Sequence, residues 1–420
     1  MLALNIIIFV VFANLVQELH IPGFSHVLIM ATALFYVKIQ NLDQSIYKLI
    51  YCIMLLAVYL IMMSFIGYSP GLVFSIIATS MLLLPYIVLT CGLTSAINID
   101  ILCNILKKSA ITIFVLACFD YILFLFSAVS DIRVYAITDH FLFFTELSRF
   151  SSLLVYCLII LLGVSLIKKS NSYILISGLL TIVLTSLTIK KTIIIAVIVW
   201  LYYFYAKRSF TRKSGLITIV LFLCIITTGL FVNYSYFNED MIKNVNYLQD
   251  AGPSGHVRVG MYVAAISLFT EKFPLGTGPG TFGSLISVIK YSPIYYDNGI
   301  NLIGVNSEED VDRGVHTLLD TFWPHIVAEC GFIGMLLYLM LFISPIYVLY
   351  ITRKQSDYYS PFINYYVTLS TLLVFVEGFL LYTPEMPIFI LFHNLISGML
   401  LSYKLRKYKI NIVRVDCRQA

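Results

Sequence analysis

Charge is what this chain has least of. Asp, Glu, Lys and Arg together make up 12% of its 420 residues, about half the share usual in soluble domains. That excludes an ordinary soluble globular protein and leaves a bilayer as the solvent that 60% hydrophobic residues fit. Cysteine is thin where it would matter. Cys52, Cys91, Cys103, Cys118, Cys157 and Cys224 lie in apolar runs, Cys330 stands beside a helix start and Cys417 near the end. None has metal-ligand spacing and the one long polar stretch holds none, which speaks against both zinc and disulfides. No GK[ST] follows the glycine-rich stretch at 274–283, so a nucleotide phosphate loop is set aside. No internal repeat is visible, and the two halves differ. The opening LALNIIIFVVFANLV has neither a basic start nor a small-residue cleavage site and reads as a retained helix.

What is present is a series of apolar runs. A hydrocarbon core about 30 Å thick takes about 20 apolar residues per helix, and open backbone is not tolerated in lipid. The expected fold is therefore all-α and polytopic, with about twelve spans near 2–17, 23–39, 46–67, 71–95, 109–129, 149–167, 173–189, 192–206, 215–233, 325–350, 362–382 and 386–403. Residues 1–233 would hold nine spans, 234–320 one large, partly helical loop, 321–403 three further spans and 404–420 a basic tail. Lys and Arg set the orientation. With both termini in the cytoplasm, eighteen of the twenty-seven basic residues fall in inner links and the tail, and only Arg133, Arg149, Lys190 and Lys191 in short outer loops. The net charge of +5 thus follows from topology and implies no nucleic-acid partner. Within the long loop, 258–273 is spaced as a helix lying along the interface, and PLGTGPGTFG (274–283) is a turn-rich breaker.

Three places carry charge out of position. In TIKKT, Lys190 and Lys191 meet the outer surface against the general trend. They either snorkel to water or face a bound anion. In GHVRVG, Arg258 opens the 258–273 helix with His256 two residues before it. Arginine grips a diphosphate bidentately and a helix N-terminus adds backbone donors, although an interfacial arginine also meets water or lipid phosphate. In VDRGVHTLLDTFWPHIVAECGFIG (311–334), Asp312, Arg313, His316, Asp320 and His325 crowd together, with Glu329 following. Asp320 before Thr321 is a fair N-cap. If the helix starts earlier, His316 and Asp320 share a face and can take a proton from a hydroxyl. YSPIYYDNG (291–299) offers Tyr291, Tyr295 and Tyr296 as faces for sugar rings or as an interfacial belt.

Many spans, a large late outer loop, an arginine before PLGTGPGTFG and an exit reading GFIG together resemble the O-antigen polymerase/ligase superfamily, including the Wzy-type polymerases. The likeness runs from about 173 to 350; the first half shares only topology. Residue by residue, the resemblance implies that Lys191, with Lys190, stands for the basic residue at the outer end of a span, where Ser-Arg is usual. Arg258 stands for the arginine before the Gly-Pro-rich turn. The ligase branch has His-Asn at a set distance before Gly-x-x-Gly. Here that place holds Asp320-Thr321, with His316 the nearest histidine, which favours a polymerase over a ligase.

The resemblance further implies an undecaprenyl-pyrophosphate-linked oligosaccharide as substrate, membrane lipids as surroundings, a chain-length regulator as a possible partner, and the bacterial inner membrane as location. A sugar hydroxyl would attack the anomeric carbon and the lipid pyrophosphate would leave. Arg258, Lys191, Lys190 and His256 would steady the diphosphate, and Asp320 or His316 would act as base. The leaving group demands no metal or other cofactor. The ligase, with lipid A–core as acceptor, is the alternative. A flippase or transporter is the reading from a different class; the asymmetry of the halves speaks against it.

Overall fold

Apolar segments that cannot leave backbone groups unpaired close their hydrogen bonds internally. Accordingly every described element is helical, with no strand among the described residues. The computed structural model describes residues 24–37, 44–66, 70–129, 147–168, 170–186, 190–207, 257–314, 317–319, 321–353, 357–379 and 386–419. The expected spans near 2–17 and 215–233 lie outside them, as do His256, His316 and Asp320.

The first seven helices are α1 (Phe24–Phe35), α2 (Gln44–Ile66), α3 (Leu72–Thr94), α4 (Ile99–Val129), α5 (Leu147–Lys168), α6 (Asn171–Ser186) and α7 (Lys190–Lys207). After residue 256 come α8 (Val257–Glu271), α9 (Leu285–Ile289), α10 (Pro293–Asp297), a 3₁₀ turn at Ile300–Leu302 and α11 (Glu308–Asp312). Then follow α12 (Trp323–Ile351), α13 (Ser360–Glu377), α14 (Pro387–Phe389), a π-helical segment Ile390–Ile396 and α15 (Ser397–Gln419). Among the described residues, five stretches are long and apolar enough to cross a membrane: Ile46–Ile66, Leu72–Thr94, Ile99–Phe119, Ser151–Lys168 and Trp323–Ile351. Four of them coincide with expected spans, and Ile99–Phe119 overlaps the expected 109–129 only in part. The described part of the chain is all-helical, with helices suited by length and composition to a membrane.

α5 is the central pillar. Every side chain from Leu153 to Leu162 is fully buried, as expected of a helix that is hydrophobic all round. α4, α6, α7 and α13 pack around it. Small residues let the backbones approach: a Cβ on Gly92 of α3 would lie 2.6 Å from the Leu395 carbonyl and 2.9 Å from Gly398 Cα.

Two boundaries differ from expectation. α4 begins ten residues before the expected 109, where the Asn98 side chain accepts the Asp100 N–H at 2.8 Å and starts the helix. Lys107 and Lys108 therefore sit on a helix rather than in a link. α15 runs unbroken from Ser397 to Gln419, so the basic tail is a helical continuation.

Basic residues gather at one end of the bundle. Lys404 Nζ donates to Asn364 at 2.7 Å and Arg406 Nη2 to the Ile97 carbonyl at 3.1 Å. Lys407 meets Asp357 at 3.2 Å. The described part of the long loop packs at the other end with its own small core, in which Met261, Leu268, Phe282, Tyr295 and Leu318 surround Ala328 of α12.

Candidate functional site

The glycine-rich stretch needs backbone conformations that side chains resist: Gly276, Gly278, Gly280 and Gly283 all have φ between +68° and +98°. Successive turns of this kind aim N–H groups into one concavity, a natural anion cradle. Here the chain fills it itself. The Glu329 carboxylate, 1% exposed, accepts the N–H of Gly280 at 2.8 Å, that of Phe282 at 2.7 Å and the Ser284 hydroxyl at 2.8 Å. Backbone contacts extend the lock: Thr277 N–H to the Ala328 carbonyl and Gly278 N–H to that of Glu329. α12 kinks at Gly331 (φ 59°, ψ −164°), which turns the Phe332 N–H onto the Pro274 carbonyl at 2.9 Å. The Tyr59 hydroxyl of α2 closes the junction, reaching the carbonyls of Leu275 at 2.6 Å and Cys330 at 2.9 Å. PLGTGPGTFG is thus a clasp on α12, its donors already engaged.

His325 belongs to the same clasp. Its Nδ1 lies 3.0 Å from the Phe282 carbonyl and 3.4 Å from Glu329 Oε2. The charged cluster of 311–334 therefore does not stay together. Asp312 and Arg313 are exposed beside α11, with Arg313 paired to Glu309 at 3.3 Å, while His325 and Glu329 are buried in the clasp. The expected cap is also replaced. Residue 321 does not start α12; Phe322 does, without a side-chain cap, and the Phe322 N–H donates instead to the Gly378 carbonyl at 2.9 Å. A carbonyl from the end of α13 does the work a capping side chain would do.

Arg258 stands in the first turn of α8 and is half-buried. One turn on, the Tyr262 hydroxyl donates to the Phe379 carbonyl at 3.0 Å and ties α8 to the end of α13. Burial pushes the Tyr262 hydroxyl up to about 12, with Arg258 acting the other way, so it stays a donor at neutral pH. The Trp323 indole donates to the Phe375 carbonyl at 3.0 Å, so α12 begins at this same end. α5 starts here too: Ser152 donates to Glu377 at 2.9 Å, deep between the helices. α7 runs antiparallel to α13, with Tyr365 on the Val199 carbonyl and Ile195 level with Leu372 to Val376. Lys190 and Lys191 open α7 and so lie at the end that carries Arg258. This end is opposite to the basic one. A cationic first turn at one end of a bundle can hold an anion.

The tyrosines separate. Tyr295 is fully buried, accepts the Gly283 N–H at 2.9 Å and shares a hydrogen with Ser287 at 2.7 Å. Tyr291 is buried with its hydroxyl on the Asn306 carbonyl. Both are core side chains of the loop, which corrects the expectation that they present faces to a sugar. Tyr296 is 49% exposed and donates to Glu308 at 2.6 Å, leaving a ring face open.

Sequence reasoning counted Glu329 in the charged cluster without giving it a role, and passed over Tyr59 and Tyr262. For Glu329 a signal existed: an acid inside an apolar helix is suspect by default. The two tyrosines are indistinguishable from the many others. No protein-family model matches this chain, and no curated protein matches it.

Proposed function

We propose that this chain is a lipid-diphosphate-sugar-dependent glycosyltransferase, a surface-polysaccharide polymerase. It joins undecaprenyl-pyrophosphate-linked repeat units on the outer face of the bacterial inner membrane. The observation that carries this reading is Arg258: a half-buried guanidinium in the first turn of α8, at the end of the bundle away from the basic cluster. Positive-inside bias makes that end the outer one.

In the reaction, the hydroxyl oxygen of one sugar forms a bond to the anomeric carbon of another. The bond from that carbon to the diphosphate oxygen breaks, and the electron pair leaves on the diphosphate. The acceptor proton passes to a base, for which Asp320 and His316 are the candidates; both lie outside the described residues. Charge grows on the departing diphosphate, and a fixed guanidinium there stabilises the transition state by a few kcal/mol. Lys190 and Lys191 open α7 at the same end and add positive potential. The clasp contributes rigidity. Glu329 holds the loop that follows α8, and Tyr262 holds α8 against α13, so Arg258 needs no rearrangement when charge develops.

The test is the glycan profile of a deletion strain complemented with Arg258→Ala. Single repeat units on the acceptor in the deletion, and short chains with Arg258→Ala at normal protein level, support the reading. Full-length polymer left on its lipid carrier would replace it with a ligase. Normal chains from Arg258→Ala would remove Arg258 from the chemistry.

A further inference from the structure

We infer that the basic end of the bundle carries a binding site for the phosphate head of an anionic membrane lipid, in the cavity between α4, α5 and the connection from α12 to α13. The cavity measures about 550 Å³. Two lysines line it from two different helices, Lys107 of α4 and Lys168 of α5, with Asn104 one turn before Lys107. The acid in its lining, Asp100, is engaged by the Tyr359 hydroxyl. The lining thus carries two lysines against one carboxylate, a net positive balance.

The remaining walls decide between a soluble anion and a lipid. Ile101, Val164 and Ile167 supply apolar surface, and Ile101 is 55% exposed on the flank of α4, where acyl chains would lie. Tyr358, 60% exposed, and Tyr359 close the opposite side. Tyrosines take this position at headgroup level. A cleft that is cationic at its mouth and apolar along its flank matches a phosphodiester with two tails. Lysine, a point charge on a flexible stem, suits a headgroup of variable pose. Basic pockets between spans on the cytoplasmic side bind anionic headgroups by this physics. Holding one here would tie the start of α4 to the end of α5, the central pillar.

The inference needs the membrane reading and not the polymerase reading. Its test uses the purified full-length chain in nanodiscs of phosphatidylcholine, with and without phosphatidylglycerol, and native mass spectrometry to count retained lipids. Wild-type protein is expected to keep phosphatidylglycerol in preference to phosphatidylcholine. Lys107→Gln with Lys168→Gln should weaken that retention by about thirtyfold, roughly a factor of five for each lysine. Arg353→Gln is the control, because that guanidinium stacks on Tyr350 4.2 Å away and does not line the cavity. It should change nothing. Equal retention by the double variant and wild type overturns the site, and so does an equal loss in Arg353→Gln. Absence of a wild-type preference overturns it without reference to any variant. Full displacement of the lipid by inorganic phosphate would make the ligand a soluble anion and overturn the lipid assignment.

Discussion

Gly276 and Gly331 approach so closely that a Cβ added to either would lie 2.4 Å from the other's backbone nitrogen. One glycine belongs to the turn after α8 and the other to the kink in α12. Their contact is where the outer loop meets the membrane helices.

Alanine at either position should therefore prevent assembly, since backbone cannot move aside as a flexible side chain can and both residues also have positive φ. Gly299 and Gly314 share the positive φ but have open space around them. Alanine there should lower stability by only about 1–2 kcal/mol. Thermal melting in detergent separates the two groups; a Gly276→Ala protein melting with Gly299→Ala would sink the account.

Glu329 should be the dominant polar anchor of the clasp. Its removal leaves two buried backbone donors and one hydroxyl without an acceptor, at about 1–3 kcal/mol for each buried donor. The expected order of destabilisation is Ser284→Ala, then Glu329→Gln, then Glu329→Ala. The glutamine keeps a carbonyl for one donor and turns an N–H toward another. Equal melting of all three would mean that the carboxylate is incidental.

Tyr59 reaches across from α2 to both halves of the clasp. Tyr59→Phe keeps the ring and deletes the one O–H donor that the Leu275 and Cys330 carbonyls share, so about 1 kcal/mol should be lost. The loss should vanish in a Glu329→Ala background, where the clasp is already open. A double-mutant cycle measures this coupling, and strict additivity would contradict the single-clasp picture.

Tyr262→Phe should reduce polymer yield less than Arg258→Ala. On the proposed function, the phenol holds the helix that carries the guanidinium, and the guanidinium would meet the charge. Removing one stabilising donor from such a site lowers rate by about 10²–10³-fold, whereas a loosened helix retains the group. Glycan gels at matched expression give the comparison, and a larger effect from Tyr262→Phe would reverse the roles.

The α11 cap carries a pH signature. Hydrogen bonds from the Ser307 side chain and backbone hold the Asp310 carboxyl below its ordinary value, with desolvation opposing and Arg313 assisting. A depressed folded pKa means that the stabilisation is fully present above the unfolded value and is lost as pH falls through the folded one. Amide protection in 307–314, relative to intrinsic exchange, should therefore hold steady into the usual carboxylate range and fall only below it. Asp310→Asn should show the lower protection near neutral pH and converge with wild type once the carboxyl is protonated. Loss of wild-type protection already near neutrality would contradict the cap.

Much of the bundle was legible because hydropathy is local. α2, α3, α5 and α12 lie within two or three residues of the apolar runs that announce them. The glycine-rich stretch was legible as a turn, since alternating glycines have few other uses. Its partner was not: Glu329 lies 45 to 49 residues from the groups it binds, and no local pattern couples such positions. The start of α12 misled for a related reason. Thr321 follows an acid in the manner of a cap, yet the orphan N–H of Phe322 finds Gly378, which only packing brings near.

By itself the sequence determined a helical membrane protein with basic residues concentrated at one end, because an apolar solvent acts on each segment separately and leaves the backbone one way to pair. Tertiary structure alone decided which polar groups are spent on architecture and which stay open. Glu329, His325, Tyr291 and Tyr295 went inward to satisfy neighbours distant in the chain, and Tyr296 kept half its surface exposed. Burial and pairing are properties of the packed assembly, since the partner that neutralises a buried group arrives only when the helices meet.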